Sequence, residues 1–164
     1  MDQFLLRRTI PKLLAKSNPD ASSRNLLTRD GIVHYYGPIM SQESADHYCD
    51  TLMKEIAWRH DQHTMFGKTI TTKRKVAWYA DQPFSYTYSN TTKKARPWIP
   101  VLAELKNLIE KESGEPFNSC LLNLYHNGSE GMAWHSDAER ELKRHGAIAS
   151  FSLGAARKFS FKHT

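Results

Sequence analysis

The apolar positions of the chain change period along its length, and each change marks an element. After Ser41, which is a favoured helix-capping residue type, Ala45, Tyr48, Leu52, Met53 and Ile56 recur at helical spacing. They predict a helix of roughly four turns with that face buried. A second helix is predicted to open at Pro97 and Pro100. Its apolar face is Val101, Leu102, Leu105, Leu108 and Ile109, and Gly114 closes it. Beyond Gly114 the period drops to that of a strand. Cys120–Tyr125, Ala147–Leu153 and Arg157–Phe161 read as three strands, with Gly154 as the turn between the last two.

Shorter signals fill the rest. Ile32–Tyr36 reads as a strand leading into Gly37-Pro38. Residues 64–80 read as a hairpin around the β-prone Thr69-Ile70-Thr71-Thr72, and Tyr86-Thr87-Tyr88 alternates like a strand. Residues 1–30 are basic and turn-rich, and read as a solvated N-terminal extension ahead of a domain over 31–164. No internal repeat or low-complexity tract is present. Helices followed by short antiparallel strands predict an α+β domain, with helices backing a β-sandwich or barrel.

Composition narrows the class. The chain has 164 residues, 40% of them hydrophobic, which is enough for one domain with a real core. The formal charge of +6 makes an anionic partner plausible, nucleic acid first, against a generic basic surface. Cys49 and Cys120 do not make a disulfide framework and suggest a reducing compartment. Arg7-Arg8 interrupts Phe4-Leu5-Leu6 before a secretory apolar region forms, and no run reaches the length of a membrane span. An intracellular monomer without membrane contact is the expectation: cytoplasmic in a bacterium, nuclear in a eukaryote.

Candidate chemistry gathers late in the chain. His135-Ser136-Asp137 sets an imidazole and a carboxylate two residues apart, a spacing that puts both on one side of an extended backbone. Such a pair supplies two of the three ligands of the facial triad of non-heme Fe(II) oxygenases. By itself the step is weak, because the His and Asp content makes about 0.4 of them by chance. Two solvated loop residues is the competing reading. Asn123 and Tyr125 share a strand face, where an amide and a phenol would suit a small carboxylate, or alternatively a core ring and a strand-end amide. Phe66 beside Gly67 at a hairpin tip could wedge into a base stack or fold back on its own domain. Tyr86 and Tyr88 offer stacking faces, or core packing. Lys73-Arg74-Lys75, Lys93-Lys94 with Arg96, and Arg140 with Lys143-Arg144 are candidate phosphate contacts, or solvated surface.

Taken as an ordered set, these residues are specific. Phe66-Gly67-Lys68, Arg74-Lys75, Tyr86-Thr87-Tyr88-Ser89, Pro97-Trp98-Ile99-Pro100-Val101-Leu102, Asn123 with Tyr125, His135 with Asp137 and Glu139, Ile148-Ala149-Ser150, and Gly154-Ala155 with Arg157 make the string. From about Ile32 to its end, the chain resembles the AlkB family of Fe(II)- and 2-oxoglutarate-dependent dioxygenases. Within that family it looks most like the animal homolog working on double-stranded DNA. The resemblance implies a double-stranded β-helix, or jelly-roll, core backed by the N-terminal helices. It implies His135 and Asp137 as catalytic iron ligands, and Asn123 and Tyr125 as hydrogen-bond partners of 2-oxoglutarate. Phe66 would fill the gap left by a flipped base, with Gly67 and Lys68 beside it. Tyr86, Thr87 and Tyr88 would wall the base pocket, and Glu139 would contact the base. Arg74, Lys75 and Arg140 are candidates for the DNA backbone.

The implied activity is O2-dependent removal of methyl groups from 1-methyladenine and 3-methylcytosine, a DNA-dealkylation repair, with formaldehyde and succinate as products. Flipping is required because the methylated nitrogen lies on the hidden Watson–Crick edge. The alternatives are a catalytically inert AlkB-like protein that binds DNA or lesions, and a related 2-oxoglutarate oxygenase acting on RNA. Phe66 favours duplex DNA.

The chain departs from the family at three pocket positions. Ala138 stands where the family has an acidic residue, Ala80 follows Tyr79 in place of glycine, and Tyr88 stands where the animal homolog it most resembles has Phe. The family's distal His ligand and the pair of arginines that grip 2-oxoglutarate are not found before Thr164. His145 and His163 match neither in position. The expectation is therefore an incomplete member lacking its C-terminal strands.

Overall fold

The computed structural model describes residues 3–10, 25–65, 67–88, 91–137 and 141–163, with backbone alone at 3–10, 63–65, 86–88 and 91. Its elements are β1 (Gln3–Ile10), α1 (Gln42–Glu55), β2 (Arg59–Met65), β3 (Lys68–Ala80), β4 (Ser85–Tyr88), β5 (Thr91–Lys94), β6 (Arg96–Pro97), α2 (Pro100–Ser113), β7 (Ser119–Leu124) and β8 (Ile148–Ala155). The result is an α+β arrangement with a mixed sheet.

Both helices start and stop for local reasons. The Ser41 hydroxyl accepts the backbone N–H of Ser44 at 3.2 Å, which satisfies a donor that the first turn of α1 leaves unpaired. Pro100 begins α2, where its missing N–H costs nothing. Gly114 ends α2 at φ 73, in the left-handed region, with its N–H on the carbonyl of Glu110 at 2.9 Å. The α1 face differs from expectation at one position. Leu52 is buried and Met53 is exposed, because adjacent residues lie about 100° apart around a helix.

The main sheet runs β2-β3-β7-β1-β8, with β6 pairing the end of β3 in parallel. β3 is antiparallel to β2 and β7, whereas β1 is parallel to both β7 and β8. β4 and β5 form a separate antiparallel hairpin. Three findings depart from the sequence reading. Residues 3–10 form a central strand where a solvated extension was expected. Residues 32–36 and 157–161 form no strand. Gly154 is not a turn but an in-strand residue at φ 83, paired with Thr9.

The sheet's two faces have different work. Ala77 and Tyr79 of β3, Cys120 and Leu122 of β7 and Leu153 of β8 lie in one core cluster with Cys49, Leu52 and Ile56 of the α1 region and Val101, Leu102, Leu105 and Ile109 of α2. These strand residues alternate with Trp78, Leu121 and Asn123, which therefore face away from the helices. Neither cysteine is in a disulfide, and both are buried in this core, where burial pushes the Cys120 thiol well above its usual pKa. Trp98 sits just ahead of α2. Its indole donates to Asp81 at 2.5 Å, and Lys106 of α2 bonds the same carboxylate at 3.0 Å, tying the helix to the end of β3. Among the described residues, no helix is long and apolar enough to cross a membrane.

Leu105 has no exposed surface and bridges helix and sheet, so Leu105→Ala should cost about 2–5 kcal/mol in a denaturant melt. A loss below 1 kcal/mol would contradict the assigned core.

Candidate active site

The face of β7 turned from the helices carries Ser119, Leu121 and Asn123, and the next position in that alternation is Tyr125. Burial obliges the polar ones to be paired. Ser119 accepts the indole N–H of Trp78 at 2.7 Å. Asn123 is only 3% exposed, and its Oδ1 accepts Nε–H of Arg74 at 3.1 Å. In each case the donor lies on β3 two residues from the register partner of the acceptor, a diagonal contact on one sheet face. The Asn123 bond has a chemical consequence. With Oδ1 occupied by a cation, the remaining function of the amide is the Nδ2 donor, which suits a carboxylate ligand.

Tyr125 is buried at the end of β7, and the Arg157 guanidinium lies over its ring, 4.2 Å from the centroid. Arg157 also donates to the carbonyl of Asn127 at 3.1 Å and to that of Glu130. The stretch expected to pair as a last strand is thus anchored by one side chain to the loop after β7. Glu130 closes the same loop from within. Its carboxylate accepts the backbone N–H of His126 at 3.0 Å and contacts Nδ1 of that ring at 3.1 Å. The His126 backbone bond is the main cause holding the Glu130 carboxyl below its usual pKa. Burial opposes this, and the His126 ring and Lys73 reinforce it.

The loop then delivers His135 and Asp137. His135 Nδ1 bonds the carbonyl of Ala133 at 2.8 Å, and Nε2 lies 3.4 Å from Oδ1 of Asp137. A carbonyl on Nδ1 selects the tautomer that leaves a lone pair on Nε2, the usual orientation of a metal-ligating imidazole. The two groups are about one-third exposed and converge, so they fit Fe(II) as two ligands of a facial set. Among the described residues, no group of three or more His, Cys, Asp or Glu could hold a metal. His163 instead pairs with Asp30 at 2.7 Å.

The other predicted residues divide. Gly67 turns the β2–β3 hairpin at φ 74, with Lys68 exposed beside it. Phe66, Ala138, Glu139 and Arg140 lie outside the described residues. Tyr86, Thr87 and Tyr88 are placed by backbone alone, on β4. Lys75 is half-buried. Arg74, a backbone-contact candidate from sequence, is turned inward to Asn123 and to Asp61, whose carboxylate is 3.7 Å away. Ala80, the residue after Tyr79, is buried. The role of Asp61 was missed because its partners Arg74 and Lys93 are distant in sequence, and that of the Glu130–His126 pair, only four residues apart, because nothing in the pattern marked the loop as closing on itself.

A depressed carboxyl stabilises the fold fully above its unfolded pKa of about 4.3, and that contribution is lost as the pH falls through the lower folded value. Glu130→Gln should therefore lower Tm by a few degrees at neutral pH, and the gap to wild type should close in acid. A gap that persists unchanged in acid would show that the charge is not what matters.

Comparison with known proteins identifies the family. The 2OG-Fe(II) oxygenase superfamily matches residues 31–164. The chain is 41% identical to the alpha-ketoglutarate-dependent dioxygenase alkB homolog 3 of Homo sapiens over 77% of its length and 44% of that protein. It is 35% identical to the DNA oxidative demethylase ALKBH2 of Homo sapiens over 82% of the chain and 52% of that protein. Against ALKBH2 of Mus musculus it is 32% identical over 99% of the chain and 74% of the relative. The chain spans about half the length of the human relatives it matches. With its amide–phenol strand and converging His135 and Asp137, it belongs to the AlkB family of the 2OG-Fe(II) oxygenase superfamily, whose cofactors are Fe(II) and 2-oxoglutarate.

Proposed function

We propose that this chain carries the metal-, cosubstrate- and base-facing part of a dioxygenase that oxidatively demethylates 1-methyladenine and 3-methylcytosine in duplex DNA. The observation that carries the reading is the His135–Asp137 pair, with Nδ1 committed to the Ala133 carbonyl and Nε2 turned to the carboxylate. The demethylase name of a relative supports the substrate class. In this reading the sheet is part of a jelly-roll, and the third iron ligand is not among the described residues. The protein acts as a monomer and inside the cell.

Each residue has a physical task. His135 and Asp137 hold the metal from one side. Asn123 donates from Nδ2 and Tyr125 from its hydroxyl to the carboxylates of 2-oxoglutarate, with Arg74 and Arg157 fixing their orientations. Fe(II) with 2-oxoglutarate and O2 supplies the oxidising chemistry. Phe66 takes the place of the extruded base, and Tyr86, Thr87 and Tyr88 with Glu139 receive it. The damaged pair is cheaper to open, which gives selectivity before chemistry begins.

Formaldehyde release from methylated duplex DNA should require Fe(II) and 2-oxoglutarate and be abolished in His135→Ala. DNA binding without any turnover when both are supplied would favour the binding-protein reading, since only two ligands of the triad converge among the described residues. Phe66→Ala should slow action on duplex DNA more than on single strands; an equal loss on both would remove the wedge role.

A further inference from the structure

β2 and β3 shift register between His60 and Gln62, where Asp61 faces the longer stretch Thr72–Arg74. Irregularities of this kind re-aim a side chain. Here the Asp61 backbone N–H is held by the Thr72 hydroxyl at 3.1 Å, and that hydroxyl donates to the carbonyl of Arg74 at 2.9 Å. The Asp61 carboxylate is thereby carried inward to 17% exposure and meets two cations. Oδ1 accepts Nζ of Lys93, and Oδ2 lies 3.7 Å from the Arg74 guanidinium. Arg74, 16% exposed, continues to Oδ1 of Asn123 at 3.1 Å. Lys93 is on β5, directly opposite Tyr86 of β4.

An unbroken chain of charged contacts, Lys93–Asp61–Arg74–Asn123, therefore joins the separate β4–β5 hairpin to the buried amide of β7. Partly buried charges interact more strongly than surface ones, and the single Asp61 carboxylate is what holds the two cations together. We propose that Asp61 is a positioning residue that couples the β4–β5 hairpin to Asn123, so that a carboxylate ligand bound at the amide stiffens the hairpin and the hairpin's docking orients the amide. Linkage requires the coupling to act in both directions. The inference rests on the cosubstrate role proposed for Asn123, and makes the wall facing a base responsive to that cosubstrate.

The test is amide hydrogen exchange and 15N NMR on the whole chain, comparing wild type with Asp61→Asn, Lys93→Met and Lys93→Arg. Asp61→Asn should speed exchange of the hairpin amides about fivefold, on the order of one lost charge-assisted bond, with the α2 and β7 amides unchanged. Lys93→Met should move the Asn123 side-chain amide resonances, and Lys93→Arg should restore them. In an Asp61→Asn background, Lys93→Met should add nothing. If Lys93→Met leaves the Asn123 amide where it was, the coupling is wrong. So it is if exchange quickens uniformly across the fold.

Addition of 2-oxoglutarate with Zn(II), a diamagnetic stand-in for the iron, separates the two levels. Slower hairpin exchange in wild type but not in Asp61→Asn supports both. A ligand that shifts the Asn123 amide but leaves the hairpin untouched overturns the coupling and keeps the cosubstrate role. A ligand without effect at Asn123 removes that role, while the Lys93→Met result still decides the coupling.

Discussion

Strand β7 is covered on both sides, so every polar group on it must find a partner inside the fold. On the helix side Cys120 and Leu122 fill the core. On the other side Ser119 and Asn123 are nearly inaccessible and are paired from β3, by Trp78 and Arg74. An unpaired amide at Asn123 would forfeit its solvation with nothing in return. That requirement pulls the Arg74 side chain inward and, with it, the compensating carboxylate of Asp61. Core, site face and hairpin attachment thus follow from burying one strand that carries both apolar and polar positions.

The loop leaving β7 obeys the same logic. It is held by a carboxylate beneath it, Glu130, and a guanidinium across it, Arg157. Two arginines consequently flank the candidate cosubstrate pair without needing to touch a ligand: one fixes an amide and the other covers a phenol ring. Such supports matter because small displacements at a reacting centre are costly. The loop ends in a backbone bond that sets the tautomer of His135, which turns a weak motif into an oriented pair of candidate ligands.

The central place of β1 is a separate result. It precedes the region shared with the superfamily, which begins at residue 31, yet it joins β7 to β8 as a parallel strand between them. Backbone pairing on both edges accounts for its position, since unpaired edges in mid-sheet would leave N–H and C=O groups without partners. Its arginine-rich composition and the turn-forming residues after it concealed this from a pattern-based reading.

The sequence by itself determined what depends on near neighbours. Both helices were legible because caps, period and stop signals lie within a few residues of each other, from Ser41 to Ile56 and from Pro100 to Gly114. The β2–β3 hairpin was legible through its β-prone residues, β4, β7 and β8 through alternation, and the family through the ordered set that includes His135 and Asp137. What only the tertiary structure decided depends on residues far apart in sequence. Arg74 could not be told from a solvent-facing cation until β7 set Asn123 beside it. Arg157 read as the start of a strand because nothing local reveals that its guanidinium caps Tyr125. Local propensity encodes elements, whereas the partner of a buried charge is chosen by where the fold leaves an unpaired acceptor.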